Sequence, residues 1–238
     1  MNLDTVRVNI KNHGLPKALA DIGLRAANRV VLFKVLEGIR IETVDRAFLE
    51  CDKRYRGLFL DEVMLRQFAK DPKNELSQKF LDEALAKGDE CYALLAKEEL
   101  AAYGWYSSKP TTVDMPGLQL HFSNQYVYMY KGFTATGHRG QRLHAVGMAR
   151  ALESYRARGY RGLISYVEWN NFGSLKSCYR MGYRHFGNVV ITGLGKHYVL
   201  HHDTGCREYG FCLQRQEESD RTSREDNRAG GSLVSKRS

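Results

Sequence analysis

The chain has 238 residues, 43% of them hydrophobic and 26% charged, and a formal net charge of +9. This is the make-up of a globular chain long enough to bury a core without disulfides or metals. No run approaches the ~18 consecutive apolar residues of a membrane-spanning helix, so no membrane association is expected. The cysteines are Cys51, Cys91, Cys178, Cys206 and Cys212. Their odd number and the lack of any CxxC or zinc-ligand spacing argue against a disulfide framework and point to a reduced, cytoplasmic setting. Lys11, Asn12, His13 and Lys17 interrupt any apolar core near the start, so no signal peptide is expected. The positive surplus favours acidic or polyanionic partners by long-range attraction. Nucleic acid, a CoA phosphate group and an acidic carrier protein all fit that description.

In chain order, residues 1–28 read as an N-terminal extension. Pro16 suits a helix start, and Leu19, Ile22 and Ala26 follow at near-helical spacing. Such a helix could cover the core or mediate a homodimer. Residues 30–36, Val-Val-Leu-Phe-Lys-Val-Leu, predict a first strand that ends at Gly38. Residues 46–87 predict mostly helix, with Phe59, Val63, Leu65, Phe68, Leu76, Phe80 and Leu85 among charges and a break at Asp71-Pro72. A hairpin follows, with strands at 91–96 and 100–106 and its turn at Lys97-Glu98-Glu99.

A polar loop at 107–117 leads to a strand at 126–133 that is dense in aromatics. Tyr126, Tyr128, Tyr130 and Phe133 alternate unevenly along it, which suits core packing or the lining of an acceptor or acyl pocket. Residues 143–158 predict a helix, with Leu143, Val146, Ala149, Leu152 and Tyr155 on one side and Gly159 as the terminating glycine. Strand 162–167, a short helix from Phe172 to Gly182, and strands near 183–191 and 197–201 complete the domain. From Gln216 onward charged and small polar residues dominate, and a disordered tail is expected over 216–238. The globular domain is thus expected over 29–215.

The chemistry is concentrated at Phe133-Thr134-Ala135-Thr136-Gly137-His138-Arg139-Gly140-Gln141-Arg142-Leu143-His144. A strand ends, a glycine-containing turn follows and an amphipathic helix begins. That sequence exposes backbone N–H groups at a helix N-terminus, which bind phosphates. It lacks the Gly-Lys-Ser/Thr ending of a Walker A loop and the G-x-G-x-x-G of a dinucleotide fold. By itself the segment fits an anion site and an ordinary strand-to-helix turn equally.

Residues 139–144, together with Asn171-Phe172-Gly173-Ser174, Cys178-Tyr179 and Gly182-Tyr183, resemble the two signatures of the GNAT acyltransferases. The first is Arg/Gln-x-x-Gly-x-Gly/Ala after the fourth strand. The second is Asn-x-x-Ser/Ala, then Tyr, then Gly-Phe/Tyr. The resemblance covers roughly residues 29–205 and implies an α+β fold with a mixed, mostly antiparallel central sheet flanked by helices. It further implies an N-acyltransferase that moves an acetyl or other acyl group from acyl-CoA to a primary amine by direct attack.

The cofactor-binding residues so implied are Met129, Gly132, Phe133, Thr134, Arg139, Gly140, Gln141, Arg142, Leu143, His144, Asn171 and Ser174. No metal is expected, since His121 and His201-His202 lack a third ligand at a suitable spacing. The acceptor expected is a small-molecule or peptide amine, and an acyl carrier protein could replace CoA.

The chain departs from the family pattern in both signatures. Arg142 stands where the middle glycine is usual, and His144 where a small residue is usual. The position of the family's general acid holds Cys178, with Tyr179 about 100° further round the helix. Cys178, Tyr179 or neither could protonate the departing thiolate. Glu168, at the C-terminal end of its strand, is the first candidate for the base, and a solvent-facing carboxylate is the plain alternative. The departures also fit a catalytically silent acyl-CoA-binding sensor or complex subunit. A nucleic-acid-binding protein is the third reading. It has only the net charge in its favour, because no recognition module is present and the basic residues are scattered.

Overall fold

The computed structural model describes residues 15, 16, 23, 32–194 and 197–216. The predicted helix around Leu19, Ile22 and Ala26 and the predicted tail beyond Gln216 lie outside the described residues.

The strands are β1 (Leu32–Ile41), β2 (Tyr55–Leu60), β3 (Glu90–Ala96), β4 (Glu99–Ser107), β5 (Thr111–Thr112), β6 (Leu118–His121), β7 (Tyr126–Thr134), β8 (Gly162–Glu168), β9 (Arg184–Leu194), β10 (His197–His202) and β11 (Cys212–Arg215). The α-helices are α1 (Glu62–Phe68), α2 (Gln78–Lys87), α3 (Leu143–Ala157), α4 (Phe172–Arg180) and α5 (Thr204–Glu208). Eight strands form one sheet in the order β10-β9-β1-β8-β7-β4-β3-β2. All neighbours in it are antiparallel except β7 and β8. A small antiparallel sheet, β11-β6-β5, stands apart from it.

Alternation along the strands divides the core between the two faces of the large sheet. Val127 and Leu163 pack with Leu143, Val146 and Leu152 of α3, whereas Tyr126, Tyr128 and Ile164 pack with Leu118, Leu120 and Leu213 of the small sheet. Cys91, Ala93 and Leu95 of β3 pack with Leu65 of α1 and with Leu81 and Ala84 of α2. Each sheet face is therefore covered, and strand-period alternation is what allows one strand to serve two cores.

The sequence-based expectation differs from the structure in four places, one of them β5 and β6, which lie where only a loop was expected before β7. β1 runs through Gly38 and ends at Ile41, with a shift in its pairing to β9 at Gly38/Ile39. A Cβ at Gly38 would lie 2.5 Å from the Phe186 ring, so this glycine makes room for an aromatic and does not end the strand. The stretch expected to be helical from Arg46 contains β2, which pairs with β3 from Tyr55↔Ala96 to Leu60↔Cys91. Gly57 within it makes room for the Tyr92 hydroxyl, 2.5 Å from where a Cβ would sit. Finally, α5 and β11 lie past the last expected strand. Asp203 caps α5 by accepting from the Cys206 N–H at 3.0 Å.

The uneven aromatic spacing of β7 has a geometric cause. Trp105 pairs with Lys131 and Tyr106 with Met129, which leaves Tyr130 as an extra residue in β7. A bulge of this kind shifts the parity of every residue after it. Tyr128 and Phe133 thereby come to the same face of the sheet, in contact with the small-sheet and α1–α2 clusters respectively.

Candidate functional site

β7 and β8 pair in parallel only from Tyr126↔Gly162 to Tyr128↔Ile164. Beyond that point they part. Ser165 Oγ still donates to the Met129 carbonyl at 2.8 Å, and this bond closes the base of the opening. Past it, Lys131 to Thr134 of β7 are paired only on the β4 side. The strand edge facing the opening thus offers main-chain donors and acceptors to an extended ligand. Gly132, Phe133 and Thr134 belong to this stretch, and Met129 lies at its base.

The chain leaves β7 through a single 3-10 turn, Thr136–His138, and enters α3 through Arg139-Gly140-Gln141-Arg142. Gly140 has φ +79° and Arg142 has φ +57°. Arg142 is thus an arginine in the left-handed conformation that favours glycine, a strain of about 1–3 kcal/mol for a residue with a Cβ. Arg142 is also the N-cap of α3, and no side chain caps this end. The N–H groups of Leu143, His144 and Ala145 therefore have no intrahelical acceptor and face outward from a helix 15 residues long. Such an end carries partial positive charge and suits an anion.

Cationic side chains lie close by. The exposed Arg139 donates from Nε to the Thr134 carbonyl at 3.2 Å, which folds its guanidinium back toward the end of β7. The Arg142 guanidinium lies 6.0 Å from the Phe48 ring. His144 packs directly against β7, because a Cβ on Gly132 would come within 2.5 Å of its Cε1. Burial lowers the pKa of His144, so its imidazole is neutral at neutral pH. The room for this side chain comes from Gly132 on the facing strand, which is how the bulky residue is accommodated where a small one is usual.

The loop is also held from below. Tyr55 of β2 is 5% exposed, and its Oη lies 2.8 Å from Gln141 Oε1 and 3.0 Å from His138 Nδ1. The Arg54 guanidinium donates to the same Gln141 oxygen. Neither Tyr55 nor His138 was singled out by sequence reasoning. Tyr55 lies far from the loop in sequence, on a strand read as helix, so no local signal marked it.

The other candidates lie at the end of β8 and on α4. Asn171 caps α4, with Oδ1 accepting from the Ser174 N–H at 3.2 Å, so these two form the start of the helix that follows β8. Glu168 ends β8 and lies 2.6 Å from Lys34 Nζ of β1. Cys178 is half-buried on α4 against the α3-side core, and burial pushes its thiol up to about 11. Tyr179 is 43% exposed and its Oη donates to Glu37 Oε2 at 2.6 Å. Burial and then the Glu37 carboxylate raise the pKa of that phenol. Leu36 and Tyr166 belong to the small-sheet face and Ile39 and Val167 to the α3 face, so alternation directs Glu168 to the first face and Glu37 to the second.

A parallel strand pair that opens midway, with a helix between its members that starts in an uncapped glycine turn, is the arrangement the two signatures imply. The order of elements agrees as well: strand, two helices, hairpin, strand, loop, helix, strand, helix, strand. This is the architecture that the resemblance to the GNAT acyltransferases implies. β2 and the small sheet are additions to the pattern expected from the sequence.

No family model matches the chain, and no curated protein matches it. Among solved structures it is similar to a GCN5-related N-acetyltransferase-like protein from Streptococcus suis, at 12% identity and TM-score 0.48, with 75% of this chain and 68% of that one covered. It is similar to a putative GNAT-family acetyltransferase from Novosphingobium aromaticivorans, at 16% identity and TM-score 0.44, with 71% and 67% covered. It is also similar to the aminoglycoside N-acetyltransferase AAC(6')-Iy in complex with CoA, at 14% identity and TM-score 0.42, with 54% and 86% covered. Among the described residues no helix is long and apolar enough to cross a membrane.

Proposed function

We propose that this protein binds acyl-CoA and transfers the acyl group to a primary amine. The observation that carries the reading is the uncapped start of α3, set beside the point where β7 and β8 part. The residues fit the donor. The N–H groups of Leu143, His144 and Ala145 and the guanidiniums of Arg139 and Arg142 suit a diphosphate. The free edge of β7 beyond Met129 suits the amide-bearing arm that follows it.

Direct transfer needs a neutral amine, a polarised thioester carbonyl and a protonated leaving thiolate. The amine nitrogen bonds to the carbonyl carbon, the C–S bond breaks, and the amine's proton passes to a carboxylate or an ordered water. Glu168 is the proposed base. It stands at the end of β8, where its carboxylate pairs with Lys34 Nζ at 2.6 Å. Cys178 or Tyr179 is the proposed acid. Both pKa values are raised, so both groups hold their proton at neutral pH. Free thiols and the absence of a long apolar helix among the described residues suit a cytoplasmic protein.

A silent acyl-CoA-binding protein is the second reading. It is favoured by Arg142, whose side chain stands at the glycine position of the loop, and by the engagement of Glu168 with Lys34. One experiment tests both readings. Calorimetric titration with acetyl-CoA and longer acyl-CoAs is followed by measurement of thiol release over a panel of amines. Binding with amine-dependent release supports the transferase. Binding without release supports the silent protein, and no binding by any acyl-CoA overturns both.

A further inference from the structure

We propose that Tyr55 is the positioning residue of the anion-binding loop, holding its backbone in the shape that receives a diphosphate; this rests on the acyl-CoA reading. Tyr55 has one hydroxyl proton and gives it to Gln141 Oε1 at 2.8 Å. Its Oη must therefore accept from His138, which puts the proton of the neutral imidazole on Nδ1, 3.0 Å away. His138 Nε2 lies 3.8 Å from Glu99 Oε2 on the other side of the ring.

Gln141 Oε1 also accepts from Arg54. Both of its lone pairs are in use, which fixes the orientation of the amide. The rings of Tyr55 and His138 meet edge to face, with centroids 5.7 Å apart.

The position of Gln141 gives these bonds their effect. It stands between Gly140 and Arg142, the two left-handed residues of the loop. A strained backbone persists only where its surroundings over-determine it. The Gln141 side chain is anchored to β2, and His138 at the end of the 3-10 turn is anchored to the same hydroxyl. Tyr55 itself packs in the core with Leu143 and Ala145 of the first turn of α3. One buried hydroxyl thus fixes the loop at two points against the helix whose N–H groups bind the anion. Without it the ring would still pack, but the loop could relax away from the left-handed pair.

The test uses the full chain with Tyr55→Phe, Gln141→Leu and the double variant, and two probes. CoA carries the diphosphate, and S-acetyl-pantetheine carries the arm alone. Affinity is read by calorimetry for CoA and by ligand-observed NMR for S-acetyl-pantetheine, with thermal melts to show that each variant is folded. Each single variant is expected to weaken CoA binding roughly tenfold. The double variant should lose less than the two single losses combined, because the Tyr55–Gln141 bond is common to both while the bonds to His138 and Arg54 are not. Affinity for S-acetyl-pantetheine should not change.

Unchanged CoA affinity in both single variants would overturn the proposal. So would equal losses for the two probes, which are the mark of general loosening. Gln141→Leu alters a half-buried loop position outside the core and keeps the test valid if Tyr55→Phe is unstable. Failure of the unaltered protein to bind CoA would overturn the acyl-CoA reading and this inference with it. Binding by the unaltered protein with no effect of the variants would overturn this inference alone.

Discussion

The Tyr179 hydroxyl donates to Glu37 Oε2 across 2.6 Å and ties α4 to β1 on the α3 side of the sheet. Beside it, the Cys178 thiol is turned into the core. Consecutive residues on one helix thus offer two proton donors in different settings, one exposed and hydrogen-bonded to a carboxylate, the other half-buried. Replacing the true acid is expected to lower turnover about 10²-fold, with little change in acyl-CoA affinity. Turnover of Tyr179→Phe and Cys178→Ala across a pH series identifies it. If both variants keep full turnover, neither residue is the acid.

Glu168 and Lys34 are partly exposed, at 42% and 28%, so solvent screens their pairing and it contributes at most about 1 kcal/mol to stability. Glu168→Gln is expected to change the melting temperature little. If Glu168 is the base, the same variant lowers kcat for amine acylation by roughly 10²–10⁴. An unchanged kcat removes Glu168 from the mechanism and leaves the proton to an ordered water.

At position 142 the backbone is left-handed, with φ +57° and ψ +20°. Both Arg142→Gly and Arg142→Ala give up the contact with Phe48, but only Arg142→Gly removes the Cβ penalty. The glycine variant is therefore expected to be more stable than the alanine variant by about 1 kcal/mol. Urea denaturation of the two checks the order. The reverse order would mean that the left-handed geometry is not maintained in solution.

Alkaline pH should weaken the fold through its buried thiols. Burial raises Cys178 from 9.0 to about 11. Above pH 9 the unfolded chain therefore binds fewer protons than the folded one, and stability falls as pH rises. The contribution of this thiol is fully present below pH 9 and is lost progressively toward pH 11. At pH 10 the loss from this group is on the order of 1 kcal/mol. Cys178→Ala should show a shallower fall in stability between pH 8 and pH 10. An equal slope would show that the thiol is not protected from solvent.

Much of the fold was legible in the sequence because its signals are local. The 91–106 hairpin and α3 ending at Gly159 follow from periodicity and turn chemistry within a few residues. Gly159 has φ +94° and Gly182 has φ +97°, as glycines that end helices should. The sequence also located the strand–turn–helix segment at 133–144, since a turn rich in glycine before an amphipathic helix is itself a local pattern.

Long-range contacts decided the rest. β2 is a strand because β3 offers it a pairing edge, and Gly57 serves a tyrosine on that neighbour. The bulge at Tyr130 belongs to the pairing of β7 with β4, so the parity of the aromatics could not be read along β7 alone. Arg142 could be seen as an exception to a glycine pattern. Its left-handed backbone, the room that Gly132 leaves for His144, and the hydroxyl of Tyr55 beneath Gln141 arise only where separate strands and α3 converge. Sequence sets local conformation through residues a turn apart. The shape of an anion loop is set by whatever packs beneath it, and here that support comes from 86 residues away.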